Sequence, residues 1–151
     1  MNGDREPPSG VLEGRVVALD LGKARVGVAV SDELGILAHP RPALSGRDQS
    51  KLLKSLVSLV KEEGVQRFVV GFPLSMSGEV RLVAQRAARF CQKLAQQTGV
   101  EVELIDERLT TVQAERALRA AGHRREARKA KVDSAAAAVM LQQWLDARRG
   151  P

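Results

Sequence analysis

The sequence predicts an α/β domain built on one mixed five-stranded sheet, with helices on both faces. Three observations predict it. Three β-type runs follow one another early in the chain, with no helical stretch between them. The later β-type runs are separated by amphipathic helical stretches, which is how a chain reaches parallel strands. The length, 151 residues, suits a single core; at that size folding buries roughly 68–70% of the surface an unfolded chain exposes.

Val16 to Leu21 is a short apolar run that reads as a buried strand. Gly22-Lys23-Ala24-Arg25 turns the chain. A second strand follows over Val26–Asp32, where valines alternate with Gly27, Ala29 and Ser31. So short a connection predicts a hairpin. A third extended segment covers Ile36–Leu44. Pro40 and Pro42 interrupt it, as an edge strand tolerates. These three strands form an antiparallel meander.

Leu52, Leu53, Leu56, Leu59 and Val60 repeat at helical spacing between Asp48 and Glu62, and Gly64 is a stop signal. Arg67–Gly71 reads as a short buried strand. A second helix starts at Val80, with Val83, Ala84, Ala87, Cys91 and Leu94 on its inner face, and Gly99 ends it. Val100–Asp106 is the last strand, with Val102 and Leu104 on one side. A helix opens at Leu109–Gln113, where Thr110 and Gln113 have capping-box spacing, and Gly122 closes it. A basic linker then leads to a last helix over Val132–Ala147. Residues 1–14, with mixed charge and two prolines, read as a disordered leader before a domain at 15–149.

Composition narrows the function classes. One cysteine, Cys91, allows neither an internal disulfide nor a zinc cluster. No stretch has the apolar length of a signal peptide core or a membrane span. An intracellular, cytoplasmic protein fits. The net charge of +6 and pI near 10.1 favour polyanionic partners. Arg116, Arg119, Arg124, Arg125, Arg128, Lys129 and Lys131 concentrate that charge, although a solvated helix face explains it equally well. Three Phe, one Trp and no Tyr speak against a base-stacking platform. Contact with nucleic acid should therefore run through phosphates.

The acids carry the chemistry. Asp20 interrupts an apolar strand where it meets a glycine turn. A carboxylate there is costly unless hydrogen-bonded, paired or bound to metal, though turn capping is a common alternative role. Asp106 and Glu107 end another strand, and alternation lets only one of them face Asp20. Asp133 opens the last helix, where a first-turn acid is also ordinary. Ala18, Gly27 and Ala29 make a small-residue surface that the run Ala135–Ala138 could approach closely, bringing Asp133 to Asp20. Acids converging in this way repel one another unless a divalent ion intervenes. Mg²⁺ or Mn²⁺ suits oxygen donors. Such ions activate water against phosphodiesters. His39 and His123 look like surface residues.

Four stretches carry a resemblance. They are Asp20-Leu21-Gly22-Lys23-Ala24-Arg25-Val26-Gly27-Val28-Ala29-Val30-Ser31-Asp32, Val69–Gly78, Asp106-Glu107-Arg108-Leu109-Thr110-Thr111, and Lys131-Val132-Asp133-Ser134-Ala135-Ala136. In this order they resemble the motifs of the YqgF/RuvX family, over nearly the whole chain after the leader. The resemblance implies an RNase H-like fold related to Holliday-junction resolvases. It also implies a metal-dependent nuclease for 5′-end maturation of the 16S ribosomal RNA precursor. It assigns Asp20, Glu107 and Asp133 as catalytic, metal-binding acids, choosing Glu107 over Asp106. Lys23, Arg25 and Arg108 become candidates for substrate phosphate. Ser75 and Ser77 depart from the Asn and Asp common in the family's loop.

Three other readings compete. A Holliday-junction-type DNA resolvase would use the same chemistry. A non-catalytic RNA-binding ribosome-assembly factor would use only the basic residues. An actin-like or sugar-kinase ATPase shares the strand, Asp-x-Gly turn and second strand, but clamps nucleotide between two such domains, and this chain holds one. A nucleic-acid partner is expected, with no membrane, in a monomer or homodimer.

Overall fold

The computed structural model describes residues 14–22, 24–72, 80–106 and 125–149. Its elements run β1 (Arg15–Leu21), β2 (Arg25–Ser31), β3 (Ala38–Ser45), α1 (Gln49–Glu63), β4 (Val65–Phe72), α2 (Val80–Thr98), β5 (Glu101–Asp106) and α3 (Arg125–Arg149). The sheet order is β3-β2-β1-β4-β5. β1 pairs antiparallel with β2, and β2 with β3. β4 lies parallel to β1, and β5 parallel to β4. This is the mixed sheet expected from the sequence, with β1 at its centre.

Local chemistry sets the boundaries. Asp48 caps α1, its carboxylate accepting from the Lys51 N–H at 3.2 Å. Gly64 ends the helix with φ +67°, and its N–H returns to the Val60 carbonyl at 3.0 Å. β3 is an edge strand, so Pro40 and Pro42 cost no interior rung.

Two apolar layers form. On one face Val17, Leu19, Val28, Val30, Phe68 and Val70 meet α1 through Leu52, Leu53 and Leu56, and α2 through Phe90, Cys91 and Leu94. On the other, Val16, Ala18, Ala29 and Val69 meet α3 through Ala137, Met140, Leu141 and Leu145. Helices thus cover both faces, and the alanine-rich helix lies on the small-residue face as anticipated.

Three details differ from the sequence reading. The inner stripe of α2 includes Phe90, and Val83 and Ala84 are only partly buried. Leu104 is exposed while Val102 packs against the core, because the edge strand β5 is covered only in part. Above all, α3 begins at Arg125 rather than Val132. Arg, Glu, Ala and Lys are good helix formers, and the stretch read as a linker continues the helix. The helix expected over 109–122, residues 1–13 of the leader and the Ser75/Ser77 loop lie outside the described residues.

Candidate active site

Asp20 sits near the C-terminal end of β1. Its strand partners are Gly27 on β2 and Gly71 on β4, and Gly71 in turn pairs with Ile105 on β5. Paired residues share a face. Val16 and Ala18, on Asp20's parity, belong to the layer under α3, so Asp20 belongs to that face as well. Glycine on both sides means that neither adjacent strand sets a side chain beside this carboxylate in its own row.

Topology marks the same place. β1, β4 and β5 are parallel and end together. From β1 the chain turns to β2 and β3 on one side, and returns to β4 and β5 on the other. The boundary between β1 and β4 is the switch point of the sheet. Open α/β sheets bind ligands outside the carboxyl ends of their strands at such a point. Asp20 stands there, partly buried.

Asp106 and Asp133 lie on two other elements. Asp106 is the last residue of β5 and pairs with Phe72, the row of opposite parity to Asp20's. Asp133 lies well inside α3, eight residues from its start. The residue after it, Ser134, is fully buried. Its hydroxyl accepts from the Val28 N–H at 3.1 Å and donates to the Arg41 carbonyl at 2.6 Å. Val28 is the neighbour of Gly27, Asp20's own partner. In the sequence this serine stands only as a member of the fourth resembling stretch, with no role of its own; a hydroxyl interrupting the stripe by which α3 packs is its further signal.

Of the remaining candidates, Arg25 is exposed at the start of β2, paired with Ser45, and on the parity of Gly27 and Ala29. Beside it an open depression of about 400 Å³ is lined by Arg25, Leu44, Ser45 and Arg47 among others; Asp20 does not line it. The connection from β1 to β2 is tight. The Gly22 N–H donates to the Arg25 carbonyl at 3.0 Å, and the Gly46 N–H donates to the Ala24 carbonyl at 2.8 Å. Lys23, Glu107 and Arg108 lie outside the described residues. Among described side chains no three His, Cys, Asp or Glu groups gather to hold a metal ion, and of the three proposed acids only Asp20 belongs to that set. Nor is any helix among the described residues long and apolar enough to cross a membrane.

A mixed sheet that opens with a three-stranded meander, adds two parallel strands on the far side of β1 and carries helices on both faces defines the RNase H-like class of α/β domain. The solved structure of Thermus thermophilus RuvC in complex with a Holliday junction substrate shares it, with TM-score 0.56 and 16% identity over 91% of this chain and 97% of that one. The chain belongs to the RuvX family, described as Holliday junction resolvase, which it matches over residues 14–147. Relatives carry the name "Putative pre-16S rRNA nuclease". One from Chloroflexus aurantiacus is 42% identical over 134 residues, spanning 89% of this chain and 88% of the relative. Another from Clostridioides difficile is 38% identical over 136 residues, 90% and 96% of the two chains.

Proposed function

We propose that this protein is a divalent-metal-dependent nuclease that matures the 5′ end of the 16S rRNA precursor, with Asp20, Glu107 and Asp133 as its catalytic, metal-binding acids. The observation that carries the reading is Asp20's placement. An acidic side chain stands one residue before the end of the central strand, at the topological switch point, between two glycines, on the face that receives the helix bearing Asp133. Family membership supports nuclease chemistry, and the relatives' names support the RNA substrate. Glu107 is preferred to Asp106 because the family resemblance assigns the acid there; Asp106 pairs with Phe72, in the row of opposite parity to Asp20's.

The donor set fits the ion. Three carboxylates without thiolate or imidazole suit Mg²⁺ or Mn²⁺ rather than a softer metal. When bound, such an ion supplies positive charge at the attacked phosphate and makes a water acidic enough to act as nucleophile. The protein's part is placement. A rigid strand holds Asp20 in one position, and α3 brings Asp133 from the adjacent layer. Lys23, Arg25 and Arg108 would meet the phosphates on either side of the cut bond and offset the charge that grows there. The nuclease domain is assigned to residues 15–149 after a leader at 1–14. It works in the cytoplasm on nucleic acid, as a monomer or homodimer.

Purified protein should be incubated with labelled 16S precursor and with a four-way DNA junction, in Mg²⁺, Mn²⁺ or EDTA, beside Asp20→Asn. Cleavage of the precursor that needs metal and is lost in the variant is expected. Preference for the junction would make the protein a resolvase. If the wild type cuts neither and Asp20→Asn binds RNA equally well, the protein is a non-catalytic assembly factor.

A further inference from the structure

The β2–β3 ladder contains an irregularity beside the candidate site. Val26 pairs with Leu44, and Val28 with Arg41. Two steps along β2 therefore face three along β3, so β3 carries one extra residue there. That is a β-bulge, a device that re-aims neighbouring groups and recurs next to active sites. Pro42 lies within it and has no N–H to offer the ladder.

Ser134 enters the ladder at this bulge. Val28 and Arg41 are paired residues, and the serine hydroxyl stands between the N–H of one and the C=O of the other. It accepts at 3.1 Å and donates at 2.6 Å. Only a side chain that both accepts and donates can do this, and alanine, the residue type around it, cannot. The geometry ties the helix residue that follows Asp133 to the strand residue that follows Gly27, Asp20's partner.

A second tie holds α3 farther along. Gln142 accepts from the Ala38 N–H at 2.9 Å and donates to the Ile36 carbonyl at 2.8 Å. Eight residues separate the two ties, about 12 Å of helix. Between and beyond them Ala137, Met140, Leu141 and Leu145 pack on the sheet. The helix would therefore stay docked without Ser134, while the stretch around Asp133 would lose the nearest tie among the described residues, and with it the hold on its slide and turn. A slip of one residue moves a helical position by about 1.5 Å. Misplacement of about 1 Å can cost catalysis about a hundredfold.

We propose that Ser134 is a positioning residue for the acid site. By taking a rung of the β2–β3 ladder it fixes the height and rotation of α3, and so the place of Asp133 relative to Asp20. This rests on the reading that Asp20 and Asp133 hold metal together.

The test compares wild type, Ser134→Ala and Gln142→Ala by Mn²⁺ calorimetry, thermal unfolding in EDTA and cleavage kinetics. Both variants should lose some thermal stability. Ser134→Ala alone should weaken Mn²⁺ binding at least about tenfold. It should also lower kcat with little change in KM. Gln142→Ala, which removes the distant tie, should keep wild-type metal affinity. If Ser134→Ala binds Mn²⁺ and turns over like wild type, or if Gln142→Ala loses as much, the inference is overturned while the nuclease reading stands. A wild type that neither binds Mn²⁺ nor cuts overturns the nuclease reading, and this inference with it.

Discussion

The hairpin between β1 and β2 holds both Asp20 and Arg25, so its tolerance to change tests how the site is built. At Gly22 an added methyl carbon would stand 2.7 Å from the Arg25 carbonyl oxygen. Carbon and oxygen ordinarily approach no closer than about 3.3 Å. The oxygen must therefore retreat by about 0.6 Å. That same oxygen accepts the Gly22 N–H at 3.0 Å, so the retreat stretches the bond to the edge of hydrogen-bonding range. Losing it costs about 1 kcal/mol. Overpacking a three-residue connection should cost about as much again. Gly22→Ala is therefore expected to lose about 2 kcal/mol, a fall in melting temperature of roughly 4–8 °C. Two other glycines calibrate the result. A methyl at Gly46 meets Val26 Cγ2 at 3.4 Å, an ordinary contact, and should change stability by no more than about 0.5 kcal/mol. A methyl at Gly64 meets nothing within 4 Å, but φ is +67°, and the left-handed backbone should cost about 1 kcal/mol. Thermal and urea unfolding of the three variants read these differences directly. If Gly22→Ala behaves like Gly46→Ala, the hairpin yields freely and the argument that it fixes Asp20 fails.

Two more predictions concern groups whose titration the fold alters. Arg41 holds Glu63 through paired bonds of 2.9 and 2.7 Å, and chiefly this hydrogen bonding keeps the carboxyl below its ordinary value. A depressed folded pKa stabilises above the unfolded value and is lost as pH falls through the folded one. Glu63→Gln should therefore cost up to about 1 kcal/mol near neutral pH, discounted for partial exposure. The difference from wild type should shrink as pH falls below the ordinary Glu value and close only below the lowered folded one; a pH-independent difference would refute the charge argument. Burial pushes the Cys91 thiol up to about 11, so an aromatic disulfide reagent at pH 8 should label it only as fast as the protein opens. Complete labelling within seconds of mixing, without denaturant, would contradict the core packing of α2.

Much of the fold was legible because its signals are local. Asp48 and Gly64 bracket α1 through bonds within one helical turn of themselves. Pro40 and Pro42 demanded an edge, and β3 lies at one. Asp20 stood out because a charged residue broke an apolar strand. What was missed depends on partners distant in sequence, or on a pattern without periodicity. Ser134 bonds to groups 106 and 93 residues away, and no local rule distinguishes it from a serine tolerated in a helix. Residues 125–131 carry charge at five of seven positions and show no apolar stripe, so they read equally well as linker or exposed helix. Phe90 escaped because the stripe drawn from Val80 already satisfied helical spacing without it.

The early start of α3 changes what Asp133 can be. Read as the opening of a helix at Val132, an acid there needs no function, because the macrodipole favours it. Eight residues into a helix that starts at Arg125, that explanation lapses, since the effect fades beyond the first turn. The functional alternative makes an opposite prediction for stability. An acid kept for its charge near another acid weakens the metal-free protein by repulsion. Neutralising it should leave the fold as stable or more so. A bound ion stabilises by mass action, by about 2.7 kcal/mol at a hundred times its dissociation constant. Asp133→Asn should therefore melt at or above the wild-type temperature in EDTA, and should lose most of the rise that Mn²⁺ gives the wild type. If the variant instead melts lower in EDTA and keeps the full rise with Mn²⁺, Asp133 serves the fold rather than the site, and the metal-binding acids must be sought around Asp20 without α3.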